Sequence, residues 1–432
     1  METIRMECAL AISLVAAVSL GADGGSLKAT GAWRVQVEAG GRSAAFEIEP
    51  TPKAHVDNEA VAQLPAANPR RRNWSKPCKL KGVIACECSV RGALDPASVI
   101  VRTSDGKVLE RNRDYLLEPA GWGGLEAAPG SPFAGKPVTV AYAYWQQRID
   151  SIVTNANGVF RLLKGEPHVA MPKAPEVGGG ETRIANIWLY VDTRRLSEDN
   201  LYPILEDGES FRRATARPAV NLFPKTWKKL SNGERVKILA WGDSVTDAAY
   251  LPLNDKWQEQ FVRRLRQRFP KAEIELVSNG WGGRRSTSFL GLPPSHIHNY
   301  ERTVLGEVPD LIVSEFVNDC GMGAKTKEQY ARFLEDFRRI GAEWIILTPH
   351  YTRPDWMGLK KFKGNDEDPR PYVKAVREFG KENGVAVADA AARWGHLWRE
   401  GVPFMSLFHN NINHPDAFGM SLFADALMDL LP

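Results

Sequence analysis

The sequence predicts an all-β, sandwich-like domain at residues 23–224, followed by an α/β domain with a three-layer, doubly wound parallel sheet at residues 225–432. From about Trp33 to Asn221, short runs of alternating apolar residues are separated by Gly, Pro and Asp clusters. That rhythm is typical of antiparallel strands joined by turns. After about Lys225, strand-like runs alternate with segments of helical spacing, which is typical of a parallel α/β sheet.

Two domains are also expected from length, because 432 residues exceed what a single hydrophobic core usually serves. In the first domain the runs that predict strands are Trp33 to Val37, Gly82 to Val90, Val99 to Arg102, Pro137 to Tyr144 and Ile184 to Val191. Turn signals such as Asp105-Gly106 and Asp207-Gly208 lie between or beside them. Neither a long amphipathic helix nor an internal repeat is evident in this half.

In the second domain the predicted elements alternate in chain order. The expected strands are Val236 to Trp241, Glu273 to Val277, Asp310 to Val317, Trp344 to Leu347 and Val385 to Val387. The expected helices are Asp255 to Phe269, Lys325 to Ile340, Tyr372 to Asn383 and Ala417 to Leu431. Because chemistry in such sheets lies just past the carboxyl ends of the strands, the residues that follow each strand are the candidates for a site.

Composition excludes some classes of partner. Apolar residues make up 43% and charged residues 25% of the chain, as in ordinary globular proteins. A net charge of +4 is too small to indicate binding to nucleic acid or to an anionic membrane, and we interpret the run Arg70-Arg71-Arg72 as a solvated loop. The composition gives no indication of the oligomeric state.

The first 22 residues resemble a signal peptide. Arg5 precedes an apolar stretch from Ala9 to Leu20, and small residues follow it. This stretch is too short to span a bilayer, and no later segment is long and apolar enough. We therefore expect a secreted or periplasmic protein; the alternative is a buried N-terminal helix.

The cysteines predict no metal site. There is no Cys-x-x-Cys pair and no cluster of His residues. In a strand, Cys86 and Cys88 would face the same side, and Cys78 could pair with either in an oxidising compartment. Cys320 is expected to be a small buried residue.

Four short motifs follow the predicted strands of the second domain or precede its last helix. The first is Gly242-Asp243-Ser244-Val245, where a Ser at a strand-to-helix turn can project its hydroxyl into a crevice, although an ordinary helix cap explains it equally well. The second and third are Gly280-Trp281-Gly282-Gly283 and Val317-Asn318-Asp319, which could donate hydrogen bonds to an oxyanion or form simple turns and caps. The fourth is Asn413-His414-Pro415, whose His could reach the same crevice.

Together and in this order, the four motifs resemble those of the SGNH/GDSL hydrolase superfamily, over roughly residues 235–432. The resemblance implies a flavodoxin-like fold with Ser244 as nucleophile and His414 as general base. It also implies an oxyanion hole made by the backbone N–H of Ser244, that of Gly283 and the side chain of Asn318. Gly282 stays an alternative to Gly283, because the Asn of the family's glycine motif falls on Ser278 here.

The sequence departs from the family in two places. Phe316 stands where the family's Gly-x-Asn-Asp block begins with Gly, and Asn411 stands where the family has the Asp that orients the His. An Asn can orient a His, as in Cys-His-Asn enzymes, so the expectation is a Ser-His pair with Asn411 or a backbone carbonyl as orienter. A carboxylate elsewhere, such as Asp389 or Asp416, is the alternative.

The implied reaction is hydrolysis of an ester through an acyl-serine, with neither a metal nor an organic cofactor. The segment from Thr348 to Trp356 follows the fourth strand and is rich in aromatic and polar residues, so it suits a sugar, although these aromatics could also pack the loop itself. We expect Asp243, His350 and Trp356 to bind substrate, and a carbohydrate O-acetyl ester to be that substrate. The alternatives are a lipolytic esterase or thioesterase on small acyl esters, and a non-catalytic carbohydrate-binding protein with a decayed site.

Overall fold

The computed structural model describes residues 25–68, 78–191 and 193–432. The expected signal peptide and the Arg70–Arg72 run lie outside these residues. In the part of the chain that the structure describes, no helix combines the length and the hydropathy needed to cross a bilayer.

The N-terminal half is built of antiparallel strands. They are β1 (Ser26–Ala29), β2 (Arg34–Ala39), β3 (Arg42–Glu47), β4 (Lys53–Val61), β5 (Ile84–Ala85), β6 (Cys88–Ser89), β7 (Ile100–Thr103), β8 (Tyr115–Leu117), β9 (Leu125–Ala127), β10 (Val138–Trp145), β11 (Arg148–Asn155), β12 (Phe160–Leu163), β13 (Glu181–Leu189) and β14 (Leu201–Pro203). The larger sheets have the orders β1-β2-β3, β4-β10-β7 and β12-β11-β13-β14. The prediction of an antiparallel all-β region is therefore confirmed.

Two large hydrophobic cores lie within the described residues of this half. The first is formed around Leu80, Val101 and Val140, and the second around Val35 and Ile187. Two helices, α1 (Gly208–Thr215) and α2 (Pro224–Asn232), lead into the second half.

The C-terminal half is a parallel sheet covered by helices. Its elements are β15 (Val236–Gly242), α3 (Ser244–Asp247), α4 (Trp257–Arg268), β16 (Ile274–Gly280), β17 (Leu311–Glu315), α5 (Thr326–Arg339), β18 (Glu343–Leu347), α6 (Pro371–Asn383), β19 (Ala386–Ala388), α7 (Ala390–His396) and α8 (Ala417–Met428). The strand order is β16-β15-β17-β18-β19, and all pairs are parallel. This is the doubly wound order 2-1-3-4-5, so the predicted fold class is confirmed.

The three layers follow from residues that alternate along β15. Ile238 belongs to the core that includes Phe423 of α8, whereas Leu239 and Trp241 belong to the core that includes Phe333 of α5. Because neighbouring strand residues point to opposite faces, a nearly continuous apolar run buries both faces of the sheet. The order places the ends of β15 and β17 beside each other at the switch point of the sheet.

The two halves share an apolar interface. A buried cluster joins Trp188 and Tyr202 of the N-terminal sheets to Tyr351, Trp394 and Phe408 of the α/β half. The side-chain amide of Asn186 also donates to the carbonyl of Gly401 at 2.8 Å. The N-terminal region is therefore packed against the loops that follow the parallel strands.

One predicted strand is wrong. Residues Gly82 to Val90 form a short helical turn and then a hairpin, β5–β6, whose tip is Cys86 and Glu87. Cys86 has a φ of 54° and is exposed, whereas Cys88 is buried, so they do not share a strand face. Cys78, Cys86, Cys88 and Cys320 are free thiols.

Candidate active site

Ser244 lies at the turn between strand β15, an interior strand of the sheet, and helix α3. The preceding Asp243 begins the helix, because its carboxylate accepts the N–H of Val245 at 3.1 Å. Gly242 makes this turn possible: a Cβ at that position would lie 2.0 Å from Oγ1 of Thr246 and 2.3 Å from the carbonyl oxygen of Glu315. The chain can therefore bend sharply at the end of β15, and Ser244 lines a crevice at the edge of the sheet.

His414 lies opposite Ser244. Its Nε2 is 3.2 Å from the Ser244 Oγ, and its ring stacks on Tyr250 with 4.6 Å between ring centres. The side-chain oxygen of Asn410 accepts three successive N–H groups, from Ile412, Asn413 and His414, at 2.9–3.0 Å. The ring is thus held from one side by stacking and through its backbone by an Asn-centred turn.

A carboxylate from the N-terminal half lies at the other ring nitrogen of His414. Oε1 of Glu87, at the tip of the β5–β6 hairpin, is 2.9 Å from Nδ1 of His414. The distance is that of an ion pair, although the ring N–H is not aligned well enough for a good hydrogen bond. Sequence reasoning missed Glu87, because no local motif marks it and the contact joins distant parts of the chain.

Asn411 does not lie where the family motif predicts. It is fully buried with a φ of 54°, and its side-chain oxygen accepts the hydroxyl of Tyr190 at 3.2 Å. That left-handed backbone conformation and the bond to Tyr190 direct the side chain toward the N-terminal half. The structure places Glu87, and not Asn411, at the ring nitrogen of His414.

The two alternative carboxylates also have other partners. Asp389 caps α7 and pairs with Arg377 at 2.9 Å. Asp416 caps α8 and pairs with Lys173. Neither occupies the Nδ1 side of His414, where Glu87 lies.

Asn318 is held by Asp243 at the end of β17. Both the backbone N–H and the side-chain amide of Asn318 donate to the Asp243 carboxylate, at 2.9 and 2.8 Å. An amide NH₂ carries two hydrogens, so the second can point into the crevice that Asn318 lines.

Asp243 itself is fully buried, which differs from the expectation that it binds substrate. Burial raises the pKa of Asp243 to about 6, against the lowering effect of the three N–H groups that it accepts. The carboxyl accepts two of these N–H groups from Asn318 and so orients Asn318 from behind.

The glycine-rich loop follows β16 and borders the same crevice. The N–H of Trp281 donates to the carbonyl of Gly242 at 3.0 Å, and that of Arg284 donates to the carbonyl of Trp281 at 3.2 Å. Gly282 and Gly283 form the tip of this turn; a Cβ on Gly282 would lie 3.9 Å from that of Ser244, and Gly283 has a φ of 70°. Gly282 is thus next to the Ser244 side chain, both glycines line the crevice, and the choice between their N–H groups as oxyanion donor stays a prediction.

The other two residues expected to bind substrate, His350 and Trp356, differ in whether they reach the crevice. His350 is fully buried, and its Nε2 lies 2.7 Å from the carbonyl oxygen of Asn413, so it supports the His414 loop and does not reach the crevice. Burial and the nearby Arg370 lower the pKa of His350 well below its ordinary value, which keeps the ring neutral. Trp356 is 48% exposed and lines the crevice.

The crevice has a volume of about 530 Å³, within the range of small-molecule sites. Residues from both halves line it, including Glu87 and Cys88 from the hairpin and Asn413 from the His414 loop. A second depression of about 570 Å³ is lined by Arg212, Arg264 and other residues of α1, α4 and α8, and contains no Ser, Cys or His. The nucleophilic and basic groups are therefore gathered in the first.

Comparisons with known proteins agree with this fold. The model of the GDSL-like lipase/acylhydrolase family matches residues 240–422. No curated protein matches the chain.

Solved structures with partial similarity include a two-domain esterase (CEX) active on acetylated mannans. This esterase is 15% identical to the chain, with a TM-score of 0.40, and the match covers 50% of this chain and 53% of the esterase. This chain therefore spans about half of the length of that esterase. A variant of Axe2, an acetyl xylan esterase from Geobacillus stearothermophilus, is 17% identical with a TM-score of 0.37, over 45% of this chain and 94% of that one. The acetyl xylan esterase AlAXEase is 17% identical with a TM-score of 0.35, over 46% of this chain and 100% of that one.

The family match begins within β15, ends within α8 and takes in every C-terminal motif that lines the crevice. Residues 240–422, which form most of the C-terminal α/β domain, therefore match the GDSL-like lipase/acylhydrolase family.

Proposed function

We propose that this protein is a secreted serine esterase that removes O-acyl groups, above all O-acetyl groups, from carbohydrate. The observation that carries the proposal is the 3.2 Å approach of His414 Nε2 to Ser244 Oγ in a crevice that Asn318 and the glycine loop also line. A nucleophile, a base and a set of oxyanion donors in one crevice are what acyl transfer needs. The signal-like segment at residues 9–20 supports export.

The reaction would proceed through an acyl-serine. His414 accepts the hydroxyl proton of Ser244 while Oγ attacks the ester carbon. The N–H of Ser244, the N–H of Gly283 and the side-chain amide of Asn318 stabilise the negative oxygen. His414 then gives its proton to the leaving alcohol, activates a water and returns Ser244 to its starting state.

The lining of the crevice supports a sugar as the leaving group. Trp356 exposes nearly half of its surface at the crevice, which Asn413 also lines. An indole that packs on the apolar face of a sugar, with amides that bond its hydroxyl groups, is a usual way to hold a carbohydrate.

The test compares substrates and uses Trp356 as a probe. Acetate release from acetylated xylan and mannan is measured beside hydrolysis of p-nitrophenyl esters of increasing chain length, with Ser244→Ala as the inactive control. We expect acetyl esters to be preferred. Trp356→Ala should raise KM for the polysaccharides by about 10-fold, the equivalent of one aromatic contact, and leave p-nitrophenyl acetate unchanged. Trp356→Phe should be intermediate.

Other outcomes would assign other functions. A preference for longer acyl chains, with no response of polysaccharide hydrolysis to Trp356→Ala, would indicate a lipolytic esterase or thioesterase. No ester hydrolysis and no reaction of Ser244 with a fluorophosphonate, together with retained polysaccharide binding, would indicate a non-catalytic carbohydrate-binding protein.

A further inference from the structure

We infer that Glu87, on the N-terminal β-rich half, is the acid that positions His414, so that the catalytic centre is assembled from both halves of the chain. The inference rests on the proposed esterase function and names a further residue for that reaction. It would give the N-terminal region a role in the chemistry itself.

Glu87 places its carboxylate at the ring nitrogen of His414 that does not face Ser244. Oε1 of Glu87 is 2.9 Å from Nδ1 of His414, while Nε2 of the same ring faces Ser244. The side-chain amide of Asn410 donates to the same Oε1 at 2.9 Å. Since the other end of the Asn410 amide holds the backbone of the His414 loop, one residue ties both the acid and the base in place.

The β5–β6 hairpin, which carries Glu87, is packed onto the loop that carries His414. Cys88 of β6 and Trp122 form a buried cluster with Ile412, two residues before His414. Arg91, just after the hairpin, donates to the carbonyl of Ala120 at 2.8 Å and pairs with Asp355 of the α/β half, also at 2.8 Å. Apolar packing and an ion pair across the interface therefore fix where the tip of the hairpin lies.

The charge of Glu87 also suits this role. Partial burial raises the pKa of Glu87, but the interaction with the His414 ring, aided by Cys86 and Asn410, outweighs it and lowers the pKa to about 2. Glu87 is therefore a carboxylate throughout the range in which a His can act as a base. A carboxylate 2.9 Å from Nδ1 favours the tautomer with its proton on that nitrogen and stabilises, by its charge, the imidazolium that forms when Ser244 loses its proton.

Among the described residues, no other carboxylate forms an ion pair with His414. Other ionisable groups that interact with its ring include Asp243, Tyr250, His350 and His409. Asp243 is occupied by Asn318 and Val245, as described above. With Asn in the family's acid position at 411, the hairpin supplies the charge that the motif lacks.

The experiment measures Glu87→Gln, Glu87→Asp and Ser244→Ala in the full chain, with p-nitrophenyl acetate as substrate. Glu110→Gln is the matched control, since Glu110 lies in the same half and its side chain is 63% exposed in a surface pair with Arg113. For Glu87→Gln we expect kcat to fall by about 10²- to 10⁴-fold, the upper figure being the loss for Asp→Asn in a protease triad, with KM little changed. Glu87→Asp should recover part of the rate, and Glu110→Gln should match the unchanged protein.

The pH profile distinguishes positioning from a structural effect. Without the carboxylate the imidazolium is less stable, so the acid limb of the kcat/KM profile should move to lower pH in Glu87→Gln. The position of that limb does not depend on how much of the variant folds. A Glu87→Gln rate within about 3-fold of the unchanged protein, with an unmoved limb, would overturn the inference, and an inactive Ser244→Ala would then leave the esterase function standing. Full activity of Ser244→Ala would overturn the proposed serine-esterase mechanism, because Ser244 would not be the nucleophile.

Discussion

Asp243 and Asn318 should behave as one functional unit, and their coupling can be measured. In Asp243→Asn, one side-chain oxygen can still accept the N–H of Val245, but an NH₂ group then faces both donors of Asn318. The backbone N–H and the side-chain amide of Asn318 would then face another donor, where the carboxylate now accepts two hydrogen bonds, at 2.9 and 2.8 Å. The Asn318 amide must then turn away or lose its partner.

The size of the effect follows from the role of Asn318. Loss of one oxyanion donor costs about 10²- to 10³-fold in kcat, so Asn318→Ala should lose that much with little change in KM. If Asp243 acts only by orienting Asn318, Asp243→Asn should lose no more than this. Its free energy of unfolding should fall by about 1–3 kcal/mol for the unpaired buried groups.

The double variant measures how strongly Asp243 and Asn318 are coupled. When two residues act through one contact, their effects are not additive, so Asp243→Asn with Asn318→Ala should lie within about 3-fold of Asn318→Ala alone. Independent effects would instead multiply toward about 10⁴–10⁶ if Asp243→Asn alone costs as much as Asn318→Ala. The assay is p-nitrophenyl acetate hydrolysis, with urea unfolding of each variant and the exposed Asn232→Ala as control. A multiplied loss in a folded double variant would refute the reasoning.

Three further predictions follow from single positions. Glu315 is fully buried, and burial together with the nearby carboxylates of Asp243 and Asp319 raises its pKa well above the ordinary 4.5. Above pH 4.5 the folded state keeps a proton on Glu315 that the unfolded chain loses, so the free energy of unfolding should fall by about 1.4 kcal/mol per pH unit. Glu315→Gln should remove this decline. If the free energies of unfolding of the two proteins, measured in urea, changed with pH in parallel, the prediction would be contradicted. Asn411→Asp should not raise kcat on p-nitrophenyl acetate, because the side chain faces Tyr190; a rise would show that position 411 reaches His414. Gly280→Ala would place a Cβ 2.1 Å from the backbone N of Asp247, so thermal unfolding should show a loss of about 1–3 kcal/mol or more; an unchanged melting temperature would exclude that clash.

The α/β half could be predicted closely from the sequence because its signals are local. The run from Asp310 to Val317 is apolar enough to indicate a buried parallel strand, and β17 occupies Leu311–Glu315. The helical spacing from Lys325 to Ile340 predicted α5, observed at Thr326–Arg339. Strand ends were less accurate: β16 runs to Gly280 rather than Val277, because its ladder with β15 continues to the glycine turn.

The β half shows where such signals fail. The turn at Cys86 and Glu87 contains none of the Gly, Asn or Asp residues that mark hairpins, so the alternating run around it was interpreted as one strand. Cys86 takes a left-handed conformation there, which its sequence gives no reason to expect. The domain boundary at residues 224 and 225 stays a prediction.

In the candidate site, too, local motifs predict some residues and fail to predict others. Motifs at strand ends identified Ser244, Asn318 and the glycine loop, because the topology of a parallel sheet brings those ends together. The same reasoning could not identify Glu87, which depends on how the two halves pack. It also assigned His350 and Asp243 to the substrate, since a polar residue near a crevice and one buried behind it have the same sequence signature.

The most direct test of the central claim is covalent labelling of the nucleophile. The full chain is incubated with a fluorophosphonate, and the modified residue is located by peptide mass spectrometry, with Ser244→Ala and His414→Ala as controls. The account predicts a single adduct on Ser244, no adduct in Ser244→Ala and strongly slowed labelling in His414→Ala. Labelling at another residue, or no labelling of Ser244 in a folded and soluble protein, would contradict it.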